Sequence, residues 1–213
     1  MTEFIAARWQ DILFRSYQHT SLVIQSVAVA LIIALVIAIF VAQRPRGAAL
    51  ANALSSIGLT LPSLALLGLA IPLFGIGTVP SVVLVVFYAV LPILRNAIVG
   101  LHTVDPAVIE SARGQGMSSA AILFRVRLPL AWPIIMTGIR VATQMSMGVA
   151  AIAAYALGPG FGGYIYSGLS QIGGTNALNY TLVGTLGVVI IALIVDAILA
   201  GIQKLTTPKG ISA

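Results

Sequence analysis

Residues 22–42 read LVIQSVAVALIIALVIAIFVA, and this run of 21 residues contains no charged side chain. A helix needs about 20 mainly apolar residues to cross the hydrocarbon core of a bilayer, so the run predicts a spanning helix. A cleaved secretory signal has an apolar core of only about 7–15 residues, and no small-residue cleavage site interrupts this one. We therefore interpret the run as a retained transmembrane span.

The composition of the whole chain agrees with a membrane protein. Of its 213 residues 59% are apolar and 8% are charged, against about 25% charged in an ordinary soluble domain. So few charges cannot cover a soluble globule, which excludes a cytosolic enzyme, a disordered chain and a nucleic-acid-binding protein. The chain has no cysteine, which excludes disulfides, zinc–thiolate sites and cysteine nucleophiles.

Stretches without Asp, Glu, Lys or Arg set the number of spans: 28 residues from Ser16, 48 from Gly47 and 55 from Val141. These lengths hold one, two and two spans, which predicts an all-α integral membrane protein with a single transmembrane domain over residues 1–213. Pro62 and Pro72 fall inside the second span, where neighbouring helices satisfy the freed backbone groups. We interpret the glycine-rich residues 158–179 as a loop or a re-entrant excursion. The five spans are placed at about residues 22–42, 51–74, 79–100, 130–157 and 180–202.

Five spans put the termini on opposite sides of the membrane. One side holds most of the basic residues, while on the other Arg8 and Arg15 are offset by Glu3 and Asp11. Because cytoplasmic loops carry an excess of Lys and Arg, the basic side is predicted to be cytoplasmic, with the N terminus outside and the C terminus inside. The basic side carries Arg44, Arg46, residues 101–127, Lys204 and Lys209.

The only long polar stretch, residues 103–129, is predicted to form two short cytoplasmic helices. Asp105 is a suitable N-cap, with Pro106 at the first helical position. Gly114 and Gly116 then interrupt the helix. Ser118 or Ser119 caps a second piece over residues 120–126, and Pro129 closes that piece before the fourth span.

This stretch carries a motif. Residues 110–112 read ESA, Gly116 follows after three residues, and residues 126–129 read VRLP after nine more. The pattern resembles the EAA loop of permease subunits of binding-protein-dependent ABC importers, with Ser111 in place of Ala and Val126 in place of Ile. The resemblance extends over about residues 20–203 and implies the permease fold of type I importers.

Further short sequence segments indicate which branch of this family the chain resembles. Residues 60–68 read TLPSLALLG, residues 91–96 read LPILRN, residues 104–106 read VDP and residues 138–140 read GIR. In this order they are similar to the osmoprotectant branch, whose members import glycine betaine, choline, carnitine or related solutes. The resemblance implies a second permease subunit, identical or paralogous, two cytoplasmic ATPase subunits that use the ATP, and an extracytoplasmic binding protein. It implies no enzymatic activity and no cofactor bound by this chain.

In that family the loop sits in a groove of the ATPase. The resemblance implies that Gly116 supplies a backbone turn and that Ala112 allows close approach. Glu110 either stabilises its helix or pairs with the ATPase, and the neighbouring arginines contact the partner or lipid headgroups; both questions stay open. The implied coupling residues are Glu110, Ser111, Ala112, Arg113, Gly116, Val126, Leu128 and Pro129.

Several chemistries are missing from the sequence. Both lysines, Lys204 and Lys209, lack a preceding glycine, so no G-x-x-x-x-G-K-[ST] phosphate loop exists. The histidines His19 and His102 fall at opposite membrane faces, and no catalytic or metal-ligating set can be built from them.

Charges inside a bilayer need partners or water. Arg140 and Asp196 lie at similar depth from the cytoplasmic boundary, which suggests an ion pair; separate contacts with the interface or with water are the alternative. On the outer side, Tyr155, Phe161, Tyr164 and Tyr166 form either an interfacial aromatic belt or an outer vestibule whose rings attract a quaternary ammonium group.

Two other functions remain open at this stage. The same permease class with an amino acid or another small polar solute is one alternative. An autonomous secondary carrier is the other, although the sequence shows no internal repeat of the kind that such carriers often contain.

Overall fold

The computed structural model describes residues 1–207, and Lys209 of the orientation argument lies outside them. The described chain is helical and contains no strand. Its helices are α1 Thr2–Val41, α2 Pro45–Thr60, α3 Ser63–Phe74, α4 Thr78–Thr103, α5 Pro106–Gly114, α6 Ser119–Ile122, α7 Leu128–Ile152, α8 Gly162–Ser170 and α9 Ala177–Thr206.

Four helical segments within residues 1–207 are long and apolar enough to cross a membrane: α1, α4, the segment Ser119–Ala156 that contains α7, and α9. Helices α2 and α3 meet this test only as a pair, and a bend of 94° separates them. The predicted all-helical, multi-span architecture is present, and a bent pair of helices takes the place of the predicted second span.

That break corrects the prediction of one span over residues 51–74. Leu61 and Pro62 are extended, with ψ of 131° and 127°. The residue before a proline is driven out of the α region, and proline has no N–H with which to continue the helix. Pro72, by contrast, lies within the last turn of α3, where it is accommodated.

The first helix also differs from its predicted bounds. It begins at Thr2, not near Leu22, and runs for 40 residues. No glycine or proline interrupts residues 2–41, so the polar segment before the apolar run continues the same helix. Hydropathy detects only the apolar part of a helix, so it did not predict the polar first half of α1.

Pro129 does not end the second cytoplasmic piece as predicted. The chain stays helical from Ser119 into α7, through a wider π-turn over Leu123–Arg127 in which the Leu128 N–H donates to the Leu123 carbonyl. Pro129 then occupies the first turn of α7, where the absence of an N–H costs little.

The core forms around α4, which packs against α1, α2, α3 and α7. Val85, Ala89, Ile93 and Ala97 are fully buried along one face of α4. The facing side of α1 is a ladder of small side chains, which lets the backbones approach closely as in other membrane bundles. That ladder consists of Ala30, Ala34 and Ala38.

Candidate functional site

The cytoplasmic segment over residues 103–129, which we call the coupling segment, begins with a capped helix. The Asp105 side chain accepts a hydrogen bond from the Ala107 N–H at 2.8 Å, and Pro106 occupies the first turn of α5. This cap satisfies one of the free N–H groups at the helix start. The predicted start of the first helix is therefore what the structure contains.

A tight turn separates α5 from α6. The N–H of Gly116 donates to the Arg113 carbonyl at 2.9 Å, and the Met117 N–H donates to the Ala112 carbonyl at 3.1 Å. Gly116 has φ of +80°, a left-handed conformation that other residues adopt only with strain. Ser118, rather than Ser119, caps α6 by accepting from the Ala121 N–H at 3.3 Å.

The two ends of the motif meet in one cleft of about 430 Å³. Ala112 is buried at its base, while Ser111 on its rim is exposed. Val126 comes from the π-turn beyond α6 and completes the wall. The cleft is lined by Ala107, Val108, Ser111, Ala112, Gln115, Met117 and Val126.

The remaining motif residues lie outside this cleft. Glu110 and Arg113 line a neighbouring cleft together with Arg127, and both are exposed. Within residues 1–207 Glu110 makes no ion pair, and it is the fifth residue of α5 rather than part of its first turn. Leu128 is half-buried and Pro129 is exposed at the start of α7.

Close packing ties the coupling segment to the bundle. A Cβ on Gly138 of α7 would lie 2.6 Å from the Asn96 Cβ of α4, and one on Gly100 of α4 would lie 3.0 Å from the Ala131 carbonyl oxygen. The helices before and after the coupling segment, α4 and α7, are therefore packed closely at these two glycines.

Polar contacts then join α7 to α9. Arg140 Nε and Nη2 donate to the two carboxylate oxygens of Asp196, each at 2.9 Å, and Arg140 Nη1 donates to Gln203 Oε1 at 3.2 Å. Gln203 Nε2 donates in turn to the Pro133 carbonyl at 3.1 Å. Trp132 Nε1 donates to Thr206 Oγ1 at 2.8 Å. The structure thus brings the two intramembrane charges together.

The outer aromatic residues divide into two pairs. Phe161 and Tyr164 are 1% and 2% exposed, so the prediction that they line a vestibule is wrong for this chain. Tyr155 and Tyr166 are 51% and 44% exposed, with ring centroids 5.2 Å apart in an edge-to-face arrangement. Only this second pair is open to the surroundings.

The buried pair belongs to a cluster that the sequence analysis missed. Phe4 packs edge to face on Tyr180 at 4.9 Å, and the Arg15 guanidinium lies 4.8 Å from the Tyr164 ring centre. Burial and the nearby Asp11 carboxylate raise the pKa of Tyr164 well above its usual value. The spacing of Phe4, Arg8, Asp11 and Arg15 on one helical face was the available signal.

Within residues 1–207 no group of three or more potential metal ligands comes together. His19 is buried, with Nε2 3.2 Å from the Met147 carbonyl, and His102 is exposed near the coupling segment. The two histidines thus lie in different parts of the fold.

Residues 7–207 match the family described as the binding-protein-dependent transport system inner membrane component. The chain belongs to this family. Members are components of transport systems in the inner membrane. The expectations of a membrane protein and of a transport subunit rather than an enzyme are therefore confirmed. The family of the sequence resemblance is confirmed as well.

Curated relatives cover nearly the whole chain. The choline transport system permease protein OpuBB of Bacillus subtilis is 35% identical over 99% of this chain and 95% of its own length. The glycine betaine/carnitine/choline transport system permease protein OpuCB of the same organism is 36% identical over 99% and 95%. The osmoprotectant import permease protein OsmW of Salmonella typhimurium is 36% identical over 92% of both chains.

A solved structure supports the fold. The inward-facing MetNI methionine ABC transporter superposes with a TM-score of 0.79 at 21% identity, over 98% of this chain and 100% of the matched chain. At this identity the similarity concerns the fold alone. The predicted importer-permease fold is thereby confirmed.

Proposed function

We propose that this member of the family is the membrane-spanning subunit of an ATP-driven importer for quaternary-amine osmoprotectants. The observation that carries the proposal is the near full-length similarity to permeases named for choline, glycine betaine and carnitine. Residues 60–68, 91–96 and 138–140 carry the same resemblance in the sequence.

The proposed assembly contains two permease subunits, two ATPase subunits and a binding protein. The coupling segment docks on an ATPase subunit, with the cleft around Ala112 receiving a small apolar group of the partner. A largely apolar cleft of about 430 Å³, with the exposed polar residues Ser111 and Gln115 in its lining and a charged cleft beside it, is suited to such a contact. Glu110 and Arg113 have no ion-pair partner among residues 1–207 and are available for one.

The proposed orientation follows from the charges. Arg44 and Arg46 follow Gln43, which shares a cleft with Ile109 and Arg113, and Lys204 lies beside Thr206, which is bonded to Trp132. These basic residues are thus at the end of the bundle that carries the coupling segment, which a positive-inside arrangement places in the cytoplasm. The N terminus then lies outside, next to α8 and the start of α9.

The transport mechanism follows from the close packing of the bundle. When ATP draws the ATPase subunits together, each pushes one coupling segment. Because α4 and α7 touch through Gly100 and Gly138, and Arg140 binds Asp196, a displacement of α5 moves α4, α7 and α9 together. The permease supplies inward- and outward-facing conformations, and the ATPase biases the balance between them.

The chemistry of a quaternary-amine solute suggests the exposed pair Tyr155 and Tyr166 as its contact site. A quaternary ammonium group cannot donate a hydrogen bond, but it is attracted to the face of an aromatic ring. Tyr155 and Tyr166 are the two exposed rings of the outer region from Tyr155 to Tyr180. In the proposal they contact solute as it leaves the binding protein; a place in the aromatic belt is the alternative reading.

The test is uptake of radiolabelled glycine betaine by proteoliposomes that contain the complete importer, purified through a tag on this chain. We expect uptake that requires internal ATP and the binding protein, and that choline and carnitine reduce. Competition by amino acids alone would instead assign the chain to an amino-acid importer. Uptake without ATP would contradict the coupling mechanism and favour an autonomous carrier.

A further inference from the structure

The first five turns of α1, residues 2–20, carry their polar and apolar side chains in an inverted arrangement. The charged side chains Arg8, Asp11 and Arg15 are partly buried against the same chain. The Arg8 guanidinium donates to the Tyr180 hydroxyl at 2.9 Å, and Arg15 Nε donates to the Asp11 carboxylate at 2.9 Å. The polar face of this segment is therefore directed inward.

The outward face is apolar. Ile5, Trp9, Leu13 and Tyr17 are 43%, 54%, 59% and 69% exposed, and their spacing of four residues places them along one side of the helix. Phe14, at 57%, extends this surface. We call these apolar residues the outward stripe. The charged residues of this segment, Arg8, Asp11 and Arg15, fall on the opposite side of the helix at about 3.6 residues per turn, and between Ile5 and Tyr17 Gln10 is the one exposed polar residue.

A helix in water carries the opposite pattern, with its charges outside and its apolar side chains against the protein. An exposed apolar surface that includes two aromatic rings is instead typical of a contact with lipid or with another protein. The outward stripe therefore needs an apolar neighbour.

The length of α1 adds a geometric constraint. Its 40 residues extend about 60 Å, twice the roughly 30 Å of the hydrocarbon core. The apolar residues 22–41 alone fill that core. If α1 stood upright, residues 2–20 would project about 30 Å into water.

The contacts of α1 show that it does not stand clear of the bundle. His19 lies against the Met147 carbonyl near the end of α7, and Phe4 packs on Tyr180 in the first turn of α9. Between them, Arg15 Nη1 donates to the Gly160 carbonyl at 3.3 Å. Residues 2–20 therefore lie across the outer ends of α7, α8 and α9.

The outward stripe also continues into the spanning half of the same helix. Ile24, Ile32, Val36 and Phe40 are 51%, 65%, 49% and 70% exposed. In the first half of α1 the exposed side chains include Trp9 and Tyr17, the residue types that concentrate where hydrocarbon meets headgroups. The exposed surface thus passes from aliphatic to aromatic as it leaves the bilayer core.

We infer that the outward stripe, residues 5–17, lies in the headgroup boundary of the outer leaflet and that its partner is lipid. The charged face holds the segment to α8 and α9, and the apolar face rests in the membrane. Helix α1 is then an inclined helix that is in contact with lipid along most of its length, and residues 2–20 are not a water-exposed tail.

The chain provides its own probe, because its two tryptophans are Trp9 and Trp132. The difference in emission between the Trp132→Phe complex and the Trp9→Phe/Trp132→Phe complex, each reconstituted with its importer partners in vesicles, reports Trp9 alone. We expect lipids brominated near the headgroup end of the acyl chain to reduce Trp9 emission roughly two-fold, and more than lipids brominated near the chain end. Aqueous iodide should have little effect.

Two results overturn the inference. Emission quenched by iodide and insensitive to bromine places Trp9 in water, and emission shielded from both quenchers places it against a protein partner such as the binding protein or a second permease. The Trp9→Phe protein, which keeps Trp132 near the cytoplasmic end, serves as the reference for quenching at a site outside the stripe.

A second measurement covers the case in which Trp132→Phe fails to fold. The chain has no cysteine, so Leu13→Cys carries a single nitroxide label. We expect this label to collide with oxygen and to be shielded from a water-soluble nickel chelate. The control Lys204→Cys, exposed in the last turn of α9, should show the reverse. A Leu13 label as accessible to nickel as the control, or accessible to neither reagent, overturns the inference.

Discussion

The two hydrogen bonds between Arg140 and Asp196 join α7 to α9, two helical segments that are long and apolar enough to cross a membrane. The exposed fractions of the Arg140 and Asp196 side chains are 32% and 22%, and Gln203 accepts a further hydrogen bond from the Arg140 guanidinium. A charge left alone at this depth costs free energy, so the two residues depend on each other.

Removal of one charge should therefore destabilise the bundle. For Asp196→Asn we expect a loss of about 2–3 kcal/mol in the free energy of unfolding, because Arg140 is left without its counter-charge. The measurement is reversible denaturation of the detergent-solubilised protein. The double variant Arg140→Asp with Asp196→Arg should recover part of the loss, and Arg95→Gln, at an exposed position of α4, serves as control. Equal stability of Asp196→Asn and the parent would contradict this interpretation.

At the residue scale the sequence predicted whatever depended on charge and spacing. Helix geometry alone was enough to predict that Arg140 and Asp196 lie at similar depth and that Asp105 caps a helix. Gln203 was not predictable, because an amide in a polar helix end carries no comparable signal. Phe161 and Tyr164 were misplaced because the exposure of an aromatic ring depends on which helix covers it. The helix that covers them is the first half of α1, which lies before the predicted first span.

At the scale of single elements, the contact between α4 and α7 depends on glycine. Gly138→Ala places a Cβ 2.6 Å from the Asn96 Cβ and 3.1 Å from the Pro92 carbonyl oxygen. We expect the helices to move apart, with a loss of about 1–3 kcal/mol in stability.

The same helix contains a matched control. Gly148→Ala meets no atom within 4 Å, and alanine favours a helix, so this variant should be neutral or slightly stabilised. Thermal unfolding of both variants in the same detergent gives the comparison. If both alanines have the same effect, close packing at Gly138 is not what joins α4 to α7.

The turn of the coupling segment offers a second matched pair. Gly116 has φ of +80°, and an alanine there costs about 1–2 kcal/mol of backbone strain although the surrounding space is open. Gly114, two residues earlier, lies in open space without a positive φ. We expect Gly116→Ala to weaken ATPase binding roughly ten-fold while Gly114→Ala leaves it unchanged.

The readout is the Kd between the reconstituted permease and its ATPase subunit. Gly116→Trp, which adds bulk to the strain, should insert in the membrane normally but abolish ATP-dependent uptake. Normal uptake by the tryptophan variant would show that this turn takes no part in docking.

Three of the ten prolines show where sequence reasoning stops. Pro62 breaks a helix, Pro72 is accommodated in the last turn of one, and Pro129 lies in the first turn of α7 without interrupting the helical path. The local rule is the same at all three, since proline lacks an N–H in each case. The outcome depends on whether the turn before the proline can satisfy its carbonyl groups in another way. The π-turn does so before Pro129. This depends on the packed structure and not on the local sequence.

At the scale of the molecule, the architecture was largely predictable because a bilayer imposes length and polarity on every spanning helix. Charge-free stretches predicted the order of the four long apolar helices but not the bent pair α2–α3, and the position of the motif predicted where the two short helices of the coupling segment lie. The inclination of α1 and the right-angled path of α2 and α3 were not predictable, since both depend on how helices cover one another.

The most direct measurement of the central claim uses a single cysteine on the coupling segment. Ser111→Cys is exposed in a chain without native cysteine, and Tyr166→Cys serves as control at the opposite end of the bundle. In intact cells we expect a membrane-impermeant thiol reagent to label Tyr166→Cys alone, and in the purified importer a short cross-linker to join Ser111→Cys to the ATPase subunit. Labelling of Ser111→Cys from outside, or no cross-link to the ATPase, would contradict the account.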